Sequence, residues 1–285
     1  MRRKSKKEKT VKVTLPTELS EPSDRIQDYI TLVFGKEKIG KTALISQFPH
    51  TFHAMFEEGA RARRIYQRTI RSWSDWLKYV ALLEKDSKFW NVSCDTVDIM
   101  FDMCQAHVCK RNGVRHPGDR DDYGAVWDDL FLEFSRSIER LVKTGKGVFF
   151  VSHARDRTVK RERSRGGDYD VTIPSMKNQA RKVIEPLVDI WAYFRYEGTE
   201  RVLQIEGNEN VSAGHRLEER FLDSETDEPL EVIPMGTSPK EAYGNLLRAF
   251  NNELAAEGGG AKRVKKKVAK KLKPKRQRVL IRRKG

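Results

Sequence analysis

Residues 30–42, Ile30-Thr31-Leu32-Val33-Phe34-Gly35-Lys36-Glu37-Lys38-Ile39-Gly40-Lys41-Thr42, are an apolar run that passes directly into the spacing G-x-x-x-x-G-K-[ST]. This is a phosphate loop of the Walker A type, and each fixed residue has a physical task. Gly35 permits the sharp turn off a strand, and Gly40 lets the backbone approach an anion lying at a helix N-terminus. Lys41 is placed to reach the β- and γ-phosphates of a nucleotide, and the Thr42 hydroxyl to bind Mg²⁺. The required context is a strand before the loop and a helix after it. Ala43-Leu44-Ile45-Ser46-Gln47-Phe48 supplies the helix, which Pro49 stops. The loop therefore implies binding of a nucleoside triphosphate through Gly35, Lys36, Glu37, Lys38, Ile39, Gly40, Lys41, Thr42 and Ala43.

Working outward, the chain reads as strands alternating with helices. Thr51 to Phe56 is a second strand, followed by Glu57-Glu58-Gly59, and a helix carries Trp73, Trp76, Leu77, Val80 and Leu83 on its apolar side. Phe89 to Cys94 is a third strand ending in Asp95, and a helix follows from Val97 to Lys110. Arg111 to Asp122 is polar and reads as a long loop. Val126, Leu130, Phe134, Ile138 and Leu141 recur at helical spacing before Gly145-Lys146-Gly147 breaks the pattern. Val148 to Val151 is a buried type of strand that ends in Ser152-His153. A basic segment without periodicity, Arg155 to Lys182, precedes a fifth strand at Leu187–Tyr196 and its hairpin partner at Arg201–Glu206. Ser238-Pro239-Lys240-Glu241 is a helix start with a capping box. The division expected is a basic arm over 1–24, an α/β core over 25–235, an amphipathic helix over 236–257 and a basic tail over 258–285.

Such alternation implies a mainly parallel sheet covered by helices on both faces, with ligands at the carboxyl ends of the strands. Gly35, Glu57, Asp95 and His153 all fall at such ends. Asp95 suits the Walker B role of holding Mg²⁺ beside Thr42, with Asp98 as a competitor, and the run before it, Asn91-Val92-Ser93-Cys94, is more polar than that role usually shows. Glu57 suits the general base that orients water, with Glu58 as its rival. His153 is placed to sense the γ-phosphate, and Arg216 to act as an arginine finger across a subunit boundary. Lys41, Glu57, Asp95, His153 and Arg216 are thus the candidate catalytic set.

Charge is unevenly distributed over the 285 residues. Of the net +15, residues 1–12 hold +6 and residues 261–285 hold +14, which leaves 13–260 at −5. Two basic arms on a mildly acidic core fit polyanion binding, nucleic acid before membrane, although a nuclear localisation signal has the same composition. No apolar run approaches the length of a membrane span and the N-terminus opens on charge, so a soluble, cytoplasmic protein without a membrane partner is expected. Cys94, Cys104 and Cys109 do not form a disulfide framework. Cys104, His107 and Cys109 lack the fourth ligand of a zinc site.

The loop, including the acidic Glu37 at its third position, resembles that of the RecA-like ATPases. The order of Glu57-Glu58-Gly59, Asp95-Thr96-Val97-Asp98, Asp122-Tyr123-Gly124-Ala125-Val126-Trp127, Ser152-His153, Val188-Asp189-Ile190 and Gly214 to Arg216 is similar to that of phage-encoded members of the group, related to Rad-type recombinases and single-strand annealing proteins. The resemblance spans about residues 25–222 and leaves the tail outside it. It implies a RecA-like P-loop fold in which the Walker A and Walker B strands are separated by a third. It also implies ATP and Mg²⁺ as cofactors and assembly into a homo-oligomeric ring or filament with ATP at subunit boundaries. The expected activity is DNA-stimulated ATP hydrolysis in phage-type recombination or replication, with the ATP state controlling assembly on single-stranded DNA in the host cytoplasm. Single-strand-binding or replication proteins are expected partners. A DNA-contacting loop would correspond to Arg155–Lys182, which carries nine Lys/Arg against four acids, with Tyr169 as a stacking ring. A helicase or helicase loader, and a nucleotide-gated nucleic-acid-binding protein with negligible turnover, are the alternatives. A translocating helicase is expected to carry further motor motifs, and none is found.

Overall fold

Strand β1, Thr31–Gly35, is buried at all five positions, and its alternation divides the interior in two. Leu32 and Phe34 point into one core and Val33 into the other. Both faces of the strand are apolar because both are covered, as a central parallel strand requires. The computed structural model describes residues 15–161 and 167–255. The basic stretches over 1–14 and 256–285 lie outside the described residues, as does 162–166.

The remaining elements follow in chain order. They are α1 Lys41–Ile45, β2 Thr51–Met55, β3 Tyr66–Thr69, α2 Trp73–Leu83, β4 Asn91–Asp95, α3 Val97–Asn112, α4 Ala125–Val142, β5 Gly147–Val159 and β6 Tyr169–Pro174. After these come α5 Asn178–Ile184, β7 Ile190–Glu197, β8 Glu200–Gln204, β9 Gly214–His215, β10 Val232–Pro234 and α6 Pro239–Phe250. The sheet runs β10-β8-β7-β1-β5-β4-β2-β3, with β6 paired to β5 and β9 to β7. Every pairing from β7 across to β3 is parallel, and β8 and β10 are added antiparallel. The fold is the RecA-like α/β arrangement: β5 separates the loop-bearing β1 from β4, which ends in Asp95.

Helices cover both faces. On one side α2, α3 and α4 pack through Trp73, Trp76, Phe101 and Phe134, with Leu130, Ile138 and Leu141 of α4 fully buried at their helical spacing. The Trp76 indole donates to Ser137 Oγ at 2.7 Å, so the polar edge of this large ring is satisfied inside the core. On the other side α1 and α6 share a core with Val33, Phe149 and Phe194. Ser238 caps α6 by accepting from the Glu241 N–H at 3.2 Å. The Glu241 carboxylate accepts in return from Thr237 N at 2.8 Å, one residue before the position the usual capping box engages. No helix among the described residues is long and apolar enough to cross a membrane.

Three expectations are corrected. Helix α1 ends at Ile45 instead of continuing to Phe48, because the N–H groups of Gln47 and Phe48 bond to Leu44 and Ile45 as tight turns. The edge strand β3 has no counterpart in the sequence reading, since three of its four residues are exposed and no apolar signal marks it. The segment Arg155–Lys182 is not an aperiodic loop. Strand β5 continues to Val159 and pairs antiparallel with β6 in a two-stranded ribbon, and α5 follows. Cross-strand bonds from Thr158 to Asp170 at 2.7 Å and from Thr172 to Asp156 at 2.8 Å hold this ribbon where apolar pairs are few.

Gly35 illustrates how tightly the sheet is closed around the loop. It pairs with His153 on one side and Phe194 on the other, and an added Cβ would lie 2.2 Å from the Phe194 carbonyl oxygen. Gly35→Ala is expected to lower stability by about 2 kcal/mol and the Tm by roughly 5 °C, because backbone must shift to admit the methyl. An unchanged thermal melt would contradict this.

Candidate active site

The phosphate loop leaves β1 at Gly35 and enters α1 through Gly40, whose φ of 122° is a conformation that favours glycine. Lys41 opens the helix and is only 6% exposed. Its ammonium donates back to the carbonyls of Gly35 and Lys36, both at 2.8 Å, so the loop closes around the cation. Burial lowers the Lys41 pKa, and the nearby carboxylates of Asp95, Glu57, Asp98 and Glu37 oppose that shift. Ile39 turns its side chain into the core beside α1, so only its backbone faces the loop.

Asp95 is the last residue of β4 and is almost wholly buried. The Thr42 hydroxyl donates to Asp95 Oδ2 at 2.5 Å, which brings the two expected metal-holding groups to one point. Burial pushes the Asp95 pKa up, with the Thr42 bond opposing it, so this carboxylate gains from a neighbouring cation. Two hard oxygen donors, one ionisable, fit Mg²⁺, which retains several waters and takes further oxygens from a bound phosphate. Among the described residues no group of three or more His, Cys, Asp or Glu side chains could hold a metal ion. The competitor Asp98 is engaged elsewhere: its Oδ1 accepts from Ser152 at 3.2 Å and also from Ser175.

Glu57 follows β2 and accepts from His153 Nε2 at 3.1 Å. That hydrogen bond holds the Glu57 carboxyl below the usual range and raises the His153 pKa. Glu58, its rival, is paired with Arg61 on the exposed surface. Of the polar residues of β4, Asn91 lies at the far end of the strand from Asp95, and its amide donates to Pro49 O at 2.9 Å. Lys41, Thr42, Glu57, Asp95 and His153 line one cavity of about 420 Å³. Chemically, this cavity offers an anion cradle, a divalent-metal position and an ionised carboxylate placed to orient a water molecule.

Arg63 lines the same cavity from the loop between β2 and β3. The sequence reading missed it, because one arginine among Arg61, Arg63 and Arg64 carries no distinguishing signal. Arg216 is not brought to this cavity. Its neighbour His215 pairs with Ile190, which lies at the register of Thr31, and its own N–H bonds to Asp189 O at 3.0 Å. It therefore sits at the amino ends of the parallel strands, opposite the phosphate loop of its own chain.

Comparison with known proteins places this geometry in context. Residues 27–217 match the AAA_24 family model, described as an AAA domain. The SPbeta prophage-derived protein YorG of Bacillus subtilis strain 168, itself uncharacterized, is 24% identical over 135 residues, which are 45% of this chain and 42% of that protein. The chain thus spans less than half the length of this curated relative. The KaiC-like protein PH0186 of Pyrococcus horikoshii OT3 superposes over 74% of this chain and 87% of its own, with a TM-score of 0.41 and 12% identity.

Proposed function

The chain belongs to the AAA_24 family of AAA domains, and from that premise we propose that it hydrolyses ATP to control its own assembly on single-stranded DNA. The setting proposed is phage-type recombination or replication, in keeping with the prophage origin of the relative YorG. Lys41 and the loop backbone would hold the phosphates, Thr42 and Asp95 the Mg²⁺, and Glu57 the attacking water. The metal, when bound, supplies charge neutralisation on the phosphates.

One observation carries the DNA half of this reading. Strand β5 joins the nucleotide cavity to the ribbon without a break: His153 bonds to Glu57 in the cavity, and Ala154–Val159 pair directly with β6. The ribbon exposes Arg155, Arg157, Lys160 and Arg161, and none of these is ion-paired among the described residues. Arg161 lies 4.5 Å from the centre of the Tyr169 ring. Unpaired cations along a strand, with one aromatic face, suit backbone tracking and base stacking on a single strand.

Phosphate release measured with and without single-stranded DNA tests the proposal. DNA is expected to stimulate turnover, and turnover indifferent to any nucleic acid would overturn it. Charge reversal of Arg155 and Arg157 is expected to remove the stimulation and to reduce the salt slope of DNA binding by about one to two. ATP-dependent DNA binding without phosphate release would instead mark a nucleotide-gated binder.

A further inference from the structure

The order of strands sets the acidic residues of the cavity and Arg201 on opposite flanks of the phosphate loop. Asp95 on β4, Glu57 after β2 and His153 on β5 are all on one side of β1. A terminal phosphate and its metal belong on that side. The other side of β1 is occupied by β7 and β8, which carry Phe194 and Arg201. A Cβ added to Gly40 would lie 3.3 Å from Arg201 Nη1 and 3.7 Å from Phe194 Cε1. The guanidinium is thus pressed against the phosphate loop, on the flank away from the acids.

It is also held there. Arg201 Nε and Nη2 donate to the Gly236 carbonyl at 3.2 and 2.8 Å. Gly236 has a φ of 58°, and an added Cβ would run into the Glu241 carboxylate, so this turn is shaped for glycine. Nη1 has no hydrogen-bond partner and the head no ion pair among the described residues. A fixed guanidinium with an unused donor beside a phosphate loop fits an anion. The anion on this flank is the one nearest the nucleoside.

We infer that Arg201 binds the α-phosphate of a nucleoside di- or triphosphate held in the Gly35–Thr42 loop. The assignment rests on the reading that this loop holds a nucleotide. It gives the site a second cation, on the opposite flank from the metal, that grips ADP and ATP alike. Lys41 and the metal then distinguish the two by what lies beyond the β-phosphate.

Calorimetric titration of ADP and of a non-hydrolysable ATP analogue into the full chain tests the assignment. Arg201→Ala is expected to raise Kd for both ligands by the same factor, about tenfold or more. Arg201→Lys is expected to recover part of the loss. Unchanged ADP affinity in Arg201→Ala would overturn the assignment. So would a loss confined to the triphosphate analogue, which would place the guanidinium on the terminal phosphate. Arg201 also ties β8 to the Gly236 turn, so Arg201→Gln, which keeps a donor for that carbonyl, gives the same comparison if the alanine variant does not fold. A wild-type chain that binds neither ligand would refute the nucleotide reading itself, whereas wild-type binding with no loss in the variants refutes Arg201 alone.

Discussion

Lys41→Ala is expected to lower ATP hydrolysis by about a hundredfold or more, the scale on which removal of one preorganised charge from a reacting centre is felt. Two effects add in this variant. The ammonium that would neutralise the β- and γ-phosphates is lost, and the Gly35 and Lys36 carbonyls lose the donor that closes the loop. The side chain is only 6% exposed, so water does not simply replace it. Phosphate release beside equilibrium nucleotide binding checks the result, with both expected to fall. Turnover within about threefold of wild type would show that the loop is not where hydrolysis occurs.

Glu57→Gln is expected to separate the two quantities. Hydrolysis should fall by about a hundred- to a thousandfold, as loss of a positioned general base does, while nucleotide binding persists. Binding persists because the amide oxygen can still accept from His153 Nε2, which preserves the 3.1 Å link, and because Lys41, Thr42 and Asp95 are untouched. The hydrogen bond from His153 lowers the Glu57 pKa below its ordinary carboxylate value, which favours the ionised form that orienting a water requires. Glu58→Gln is the matched control one residue away. That carboxylate is exposed and paired with Arg61, and its loss is expected to change turnover little. Equal effects of the two substitutions would remove Glu57 from its assigned role.

The parts of this molecule legible in its sequence are those whose signal is local. The phosphate loop announces itself by spacing, and α4 by five apolar residues that all prove buried. Glu57, Asp95 and His153 could be gathered at one edge because parallel strands share a direction, although His153 proves to lie within β5, which runs on to Val159. What a linear reading could not decide was between neighbours. Asp95 and Asp98, or Glu57 and Glu58, look alike in the sequence and differ in their contacts: Thr42 bonds to Asp95 and His153 to Glu57, whereas Asp98 bonds to two serines and Glu58 to Arg61. Strand β3 escaped because its residues are mostly exposed and carry no apolar alternation, and the ribbon because its outgoing strand, Ala154–Val159, is mostly polar and exposed, although Tyr169, Val171 and Ile173 alternate with polar residues on the return. Arg201 and Arg216 are the sharpest contrast. The first lies on β8, two strands from β1, and the second at the opposite edge of the sheet from its own phosphate loop, and sheet order is written in neither residue.

The length of β5 has a mechanical meaning. From His153 to Val159 the strand projects about 20 Å at its ordinary rise per residue. At its root, Asp98 grips both legs of the ribbon, Ser152 on the outgoing strand and Ser175 just past the return. Further out, Thr172 N donates to Asn210 O at 2.7 Å, Ser212 N donates to Thr172 O at 3.0 Å, and the Asn210 amide donates to Asp170 O at 3.0 Å, so the return strand is braced along its length. The ribbon's cations are thus held at a set distance from the nucleotide cavity, as the marks of a ruler are held from its end.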